Sequence, residues 1–227
     1  MQQAIAGMIL MVLTSAGQMP NGEPTGVWLE EFSVPYDLFV EAGYAVTVAS
    51  PNGGPVPIDP RSITESTMPE NGARAMEVLK DSTPLKIVTS GCYNAVFFPG
   101  GHGTMFDLPS SQAVSETVES FLLSDRPTAF VCHGPAALVG VKGDDGQPIV
   151  QGRTLTGFTD SEEHAVNLQD AVPFLLQSKL EELGATFQGG PDFQPNVVVD
   201  GNLITGQNPA SSREAALALL EQLAHQD

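Results

Sequence analysis

The stretch "PTAFVCHGPAALVG" (127–140) sets Cys132 and His133 side by side where an apolar run gives way to Gly134 and Pro135. A thiol becomes a nucleophile once it loses its proton, and a neighbouring imidazole is a fitting acceptor. An apolar run broken by Gly-Pro and followed by alanines predicts a sharp strand-to-helix turn. Such a turn would expose the thiol at the C-terminal edge of a sheet and offer it the positive end of a helix, both of which favour thiolate. Free cysteine is also a common buried packing residue, but the adjacent His133 and the glycines favour the reactive reading. Attack on a carbonyl further requires donors for the developing oxyanion. The segment "FFPGGHGTMFDLP" places Gly100, Gly101 and Gly103 after a second apolar run. Backbone N–H groups near Gly101, together with the amide of His133, suit that task. Taken alone, a glycine-rich turn is weak evidence for a site.

These turns need strands to hold them. Short apolar runs recur at "MILMVLT" (8–14), "YAVTVAS" (44–50), "NAVFFPG" (94–100) and "TAFVC" (128–132), then in "TLTG" and "NVVVDGNLITG". Helical patterns lie between them, and such alternation predicts a parallel sheet covered on both faces. Val114, Val118, Phe121 and Leu122 follow helical spacing, and "AVPFLLQSKLEELGA" does so more loosely. Ser211 and Glu214 have capping-box spacing ahead of "AALALLEQLA". Pro and Gly cluster at 50–60 and 188–195, predicting turns or short hairpins, while 61–93 has no clear pattern.

The 227 residues, 41 % of them hydrophobic, suffice for one full core. Two cysteines, Cys92 and Cys132, are too few for a disulfide framework and suit a reducing compartment. With 27 acidic against 9 basic residues the formal charge is −18. That charge repels phosphate backbones and anionic membranes, so no nucleic-acid or membrane partner is expected. "AIAGMILMVL" lacks a preceding Lys or Arg and is too short to span a bilayer; it reads as a buried first strand rather than a signal core.

Five blocks now acquire a common meaning: "TGVWLEEFSVPYDLFVEAGYAVTVASPNGG", "FFPGGHGTMFDLP", "VCHGPAAL", "GRTLTGFTDSEEHAV" and "LITGQNPASS". In this order, over nearly the whole chain, they resemble the ThiJ/PfpI superfamily, which is similar in fold to class I glutamine amidotransferases. The likeness is greatest to its glutathione-independent glyoxalase III branch, whose members are also described as stress-inducible holding chaperones. The resemblance implies a flavodoxin-like α/β sandwich, a single domain over 1–227, with Cys132 at a nucleophile elbow and a triad-like set of Cys132, His133 and an acid. Position within "GFTDSEE" makes that acid Glu163. Asp160 and Glu163 also fit a capping box, however, so two roles compete for one side chain and Glu162 remains an alternative. Between Glu30 and Glu31, which otherwise read as the solvated start of a helix, the resemblance selects Glu31 and sets its carboxyl against the cysteine sulfur. Burial and a nearby thiolate would favour its protonated form.

His102 is assigned to the pocket lining, while His164 and His225 look incidental and Cys92 reads as structural or as an oxidation-sensitive bystander. No ligand pair has the short spacing of a metal motif, so neither metal nor another cofactor is expected. The C-terminal "NPASSREAALALLEQLAHQD" holds only His225, without the His-x-Glu pair of glutamine-hydrolysing relatives. The implied activity is a D-lactate dehydratase-type lyase reaction, turning the small reactive aldehyde methylglyoxal into D-lactate, in a cytoplasmic homodimer. A holding chaperone or stress-response protein, a protein deglycase, and a cysteine-dependent amidase or peptidase are the alternatives. Suppression of client aggregation that survives Cys132→Ala would mark the chaperone.

Overall fold

A computed structural model describes residues 5–63 and 72–225. The chain runs through β1 (Gly7–Val12), α1 (Leu29–Glu41), β2 (Tyr44–Ser50), α2 (Gly72–Val78), β3 (Thr83–Pro84), β4 (Ala95–Phe98), α3 (Thr104–Asp107), α4 (Gln112–Leu123) and β5 (Thr128–Val131). It continues through β6 (Thr154–Leu155), α5 (Asp160–Ala165), α6 (Leu176–Glu182), β7 (Thr186–Phe187), β8 (Val197–Asp200), β9 (Leu203–Gly206) and α7 (Ser212–Ala224). Seven strands form the central sheet in the order β3-β2-β1-β4-β5-β9-β8. Every neighbouring pair is parallel except β8 and β9, whose antiparallel register sets Val197 opposite Gly206 and Asp200 opposite Leu203. This is the expected mostly parallel α/β sheet with helices around it.

The apolar runs make this sheet because both of its faces are covered. Ile9 to Val12, Ala95 to Phe98 and Ala129 to Val131 are all sealed from solvent. Phe39 of α1 meets Phe97 edge-on at 5.6 Å between ring centroids, and Phe98 stacks on Phe130 at 4.7 Å, both favourable arrangements for aromatic pairs. On α4 the residues chosen by spacing, Val114, Val118, Phe121 and Leu122, face the core. The chain leaves β1 toward β2 on one side and returns to β4 on the other. The C-terminal ends of β1, β4 and β5 thus border a switch in strand order, the usual place for a ligand crevice.

Several expectations are corrected. "TLTG" does not join the central sheet; Thr154–Leu155 pairs with Thr186–Phe187 in a separate two-stranded sheet. "NVVVDGNLITG" folds as a hairpin around Gly201, whose φ is +58°. That conformation suits a tight reversal, so the parallel sheet ends in an antiparallel edge. The helix expected over 171–185 is confined to Leu176–Glu182. The box between Ser211 and Glu214 does not form: Ser211 ends a 3₁₀ turn, and its hydroxyl donates to Asn208 Oδ1 and accepts from the Asn196 amide. Within 61–93 the described residues form 3₁₀ turns, α2 and the short β3; 64–71 lie outside the described residues, as do 1–4 and Gln226 and Asp227. Among the described residues no helix is long and apolar enough to cross a membrane.

Candidate active site

Cys132 follows β5 directly and adopts a φ of +59°, a left-handed conformation that L-residues rarely hold. Backbone bonds on both sides fix it there: its N–H donates to Gly206 O on β9 at 2.9 Å, and its carbonyl accepts from the Phe158 amide at 2.9 Å. Gly134 makes the turn possible, since a Cβ there would lie 2.4 Å from Phe98 O. A strained elbow of this kind aims the side chain out of the sheet edge. A 3₁₀ turn, Gly134–Leu138, follows in place of the expected α-helix, so the sulfur does not gain the full field of a helix N-terminus.

The Gly100–Gly101 turn after β4 faces the elbow. Gly101 has a φ of +98°, and its N–H donates to the Cys132 sulfur. A side chain at Gly100 would come within 2.6 Å of the His133 backbone nitrogen and 2.8 Å of Glu31 Oε2, so only glycine lets the two turns meet. Thr104 Oγ1 lies 2.8 Å from Gly101 O and 3.1 Å from His133 O, tying the turns together.

Glu31 comes from the first turn of α1 and is fully buried. Its Oε2 accepts the Gly100 N–H at 2.7 Å, while Oε1 is sealed in without a well-formed hydrogen bond of its own. Burial pushes this carboxyl up to about 8, and the Gly100 amide and Cys132 thiol only partly oppose the rise. The thiol itself lies well above the ordinary range, first because it is buried and then because Glu31 stands beside it. Desolvation and the neighbouring carboxyl thus oppose the thiolate that the turn favours, and the Gly101 amide offsets them only in part.

His133 supplies the acceptor. Its Nδ1 is 3.3 Å from Cys132 Sγ and its Nε2 is 2.7 Å from Glu163 Oε2, while His102 Nε2 is 2.7 Å from Glu163 Oε1. Burial alone would favour the neutral acid at Glu163, but the hydrogen bonds from His102 and His133 hold it well below the usual carboxylate range. One carboxylate accepting from both rings places a proton on each Nε2, and in a neutral ring so oriented Nδ1 is the acceptor. Cys132 can then donate to His133 Nδ1, and Arg61 Nη2 to His102 Nδ1 at 3.3 Å. Burial and the adjacent His133 push His102 down to about 4, so it stays neutral near pH 7.

Glu163 is free for this because the capping box sits one residue earlier than its expected Asp160–Glu163 position. Thr159 caps α5, accepting from the Glu162 N–H at 3.1 Å while Glu162 Oε2 accepts from the Thr159 N–H at 3.0 Å, the reciprocal pair that defines such a box. Glu162 therefore orients the turn, and Glu163 meets the histidines.

Cys132, His133, Gly101 and His102 share a pocket of about 190 Å³ with Trp28, Arg61, Phe158, Val166, Phe193 and Pro209. A buried thiol, an acid beside it, an imidazole acceptor and backbone donors can add sulfur to a carbonyl carbon and then move protons on the adduct. The sequence pattern of the DJ-1/PfpI family matches residues 24–222. The chain belongs to that family.

Within the DJ-1/PfpI family, a glutathione-independent glyoxalase of Schizosaccharomyces pombe is 31 % identical over 96 % of this chain and 96 % of its own. The Rapid Encystment Protein 24 kDa of Francisella tularensis has a similar structure, with TM-score 0.88, 36 % identity and coverage of 96 % of this chain and 99 % of that one. Glyoxalase III of Candida albicans superposes with TM-score 0.86 at 25 % identity, covering 95 % and 97 % of the two chains.

The fold thus brings together Cys132, His133, Glu31, Glu163, Gly101 and His102, and leaves His164 and His225 exposed elsewhere. Cys92 is exposed in a 3₁₀ turn before β4, and both cysteines are free. Nothing in the sequence announces that Glu163 bridges two histidines. The donor atoms of His102, His133 and Glu163 lie within 4.8 Å of one another. Such a set is able to hold a metal ion, yet ligands so far apart in the chain form no recognisable motif. Arg61 is a further pocket residue that sequence reasoning missed. It is clamped by buried Asp59, to which Nε donates at 2.9 Å and Nη2 at 2.5 Å; its one forecast in the sequence is the Asp-Pro-Arg turn.

Proposed function

We propose that this protein is a glutathione-independent glyoxalase that converts methylglyoxal and water to D-lactate, with Cys132 as nucleophile. The observation that carries the reading is the placement of buried Glu31 beside the Cys132 sulfur, which lies 3.3 Å from His133 Nδ1; burial raises the Glu31 carboxyl and so favours its acid form. The similar glyoxalases support the substrate class, and a pocket of about 190 Å³ suits a small dicarbonyl.

The protons can be followed atom by atom. Cys132 gives its proton to His133 Nδ1, and the imidazolium is stabilised by Glu163. Sulfur bonds to the aldehyde carbon C1, and the alkoxide takes the proton of Glu31, giving a hemithioacetal and a Glu31 carboxylate. That carboxylate removes the C1 proton, and His133 protonates the oxygen on C2, leaving an enediol. The C1 hydroxyl returns its proton to His133 while Glu31 delivers the abstracted proton to C2. The product is a lactoyl thioester on Cys132. Water, losing a proton to Glu31, attacks C1; sulfur leaves with the proton of His133, and lactic acid departs. Donors at Gly101 and His133 stabilise the oxyanions on the way. The residues return to their starting states, with no nicotinamide in the scheme.

Mass spectrometry of protein quenched in acid during turnover tests this. An adduct of one methylglyoxal on Cys132, absent from Cys132→Ala, is expected; lactate formation that persists in both Cys132→Ala and Glu31→Gln would overturn the mechanism.

A further inference from the structure

The pocket lining is of two kinds. Beside Gly101, His102, Cys132, His133 and Arg61 stand Trp28, Phe158, Val166, Phe193 and Pro209, which give it an apolar wall. Methylglyoxal would present a single methyl group to that wall. Phe158 packs on the His133 ring at 4.4 Å between centroids and lies 6.3 Å from Phe193, so an aromatic surface runs from His133 through Phe158 to the partly exposed Phe193.

Phe193 is held there against its own preferences. Its φ is +57° and its side chain remains 45 % exposed; for a bulky residue that φ is an outlier. Buried Glu162 fixes it, with Oε1 accepting the Phe193 N–H at 2.7 Å and Asn208 Nδ2–H at 2.8 Å. Asn208 Nδ2 also donates to Gln194 O at 2.8 Å, and the Gly190 amide donates to Gln207 Oε1 at 2.7 Å, so the whole 190–194 turn is pinned. Strain persists only where surroundings over-determine it. Here they hold an aromatic ring at the mouth of a reactive pocket instead of letting it turn away or pack inward.

From this wall we infer that the preferred substrates are α-oxoaldehydes carrying a planar apolar substituent, with Phe193 as a specificity-determining residue. The inference rests on the glyoxalase reading and narrows it. An apolar cavity of about 150 Å³ accommodates benzene. A pocket of about 190 Å³ with an open mouth therefore has room for an aryl group while the dicarbonyl meets Cys132. The chemistry is unchanged: sulfur adds to C1, the C1 proton moves to C2, and water releases an aryl α-hydroxy acid.

The test compares kcat/KM for phenylglyoxal and methylglyoxal in the wild type, Phe193→Ala and Phe193→Tyr. Phenylglyoxal is expected to be favoured by about tenfold or more in the wild type. Phe193→Ala should cut that ratio at least about fivefold, chiefly through KM for phenylglyoxal, and Phe193→Tyr should restore it. Equal kcat/KM for the two substrates, or a ratio indifferent to Phe193→Ala, overturns the inference. If neither aldehyde turns over, the glyoxalase reading fails separately, and equilibrium binding of mandelate against lactate still decides the wall: tighter mandelate binding that weakens in Phe193→Ala supports it, and equal affinities overturn it.

Discussion

Glu31 is where burial and charge meet. Its carboxyl lies at about 8, so it is an acid through neutral pH and a carboxylate above. In the proposed cycle it must begin protonated, and wild-type kcat/KM is expected to fall as pH rises through about 8. Glu31→Gln keeps an acceptor for the Gly100 N–H but cannot move a proton, so kcat should drop by about 10²–10⁴-fold and the residual activity should lose that alkaline limb. The same group has a sign for stability. Its pKa is raised on folding, so its contribution is complete below about 4.5 and is lost as pH rises toward about 8. Glu31→Gln should therefore gain Tm relative to the wild type between about pH 5 and about pH 9. An identical Tm difference at both pH values would mean that the carboxyl titrates normally.

The elements act through their turns. A methyl at Gly100 would strike the His133 backbone nitrogen and Val131 O, both at 2.6 Å, so Gly100→Ala must separate the β4 and β5 turns. A loss of about 1–3 kcal/mol in stability and of about 10²-fold in kcat is expected, read by urea denaturation and steady-state rates. Thr159→Ala removes the α5 cap. It should cost about 1 kcal/mol, with activity falling as Glu163 loses its footing. Strands were legible in the sequence because β1, β4 and β5 lie inside the sheet and read as short apolar runs. Cys132, His133 and the glycines were legible for a related reason, since their turns adjoin those runs. Glu31 and Glu163 were not legible from residue pattern alone, because a carboxylate at a helix start looks the same in sequence whether it faces water or a sulfur; the family resemblance selected them. Register separates Glu162 from Glu163, and register depends on Thr159, not Asp160, being the cap. The β8–β9 edge shows the same limit: alternation reveals strands, while their direction is set by a tight turn at Gly201.

At the scale of the whole molecule, a formal charge of −18 makes the folded chain repel itself. Raising salt from low ionic strength to about 0.5 M should increase Tm through screening, and a flat response would show that the acidic groups are locally compensated. Within the pocket Arg61 stands with neutral His102 and Cys132, and buried Glu31 backs the Cys132 thiol to make an acid-thiol pair. The sheet carries that pair at the meeting of β4, β5 and the start of α1, and the central question is whether the assembled site performs the reaction. The most direct measurement is chirally resolved lactate formation from methylglyoxal by the purified protein and by Cys132→Ala, without glutathione or added metal. D-lactate from the wild type and none above background from the variant is the predicted result; no turnover by well-folded wild-type protein, or equal turnover by both, would contradict it.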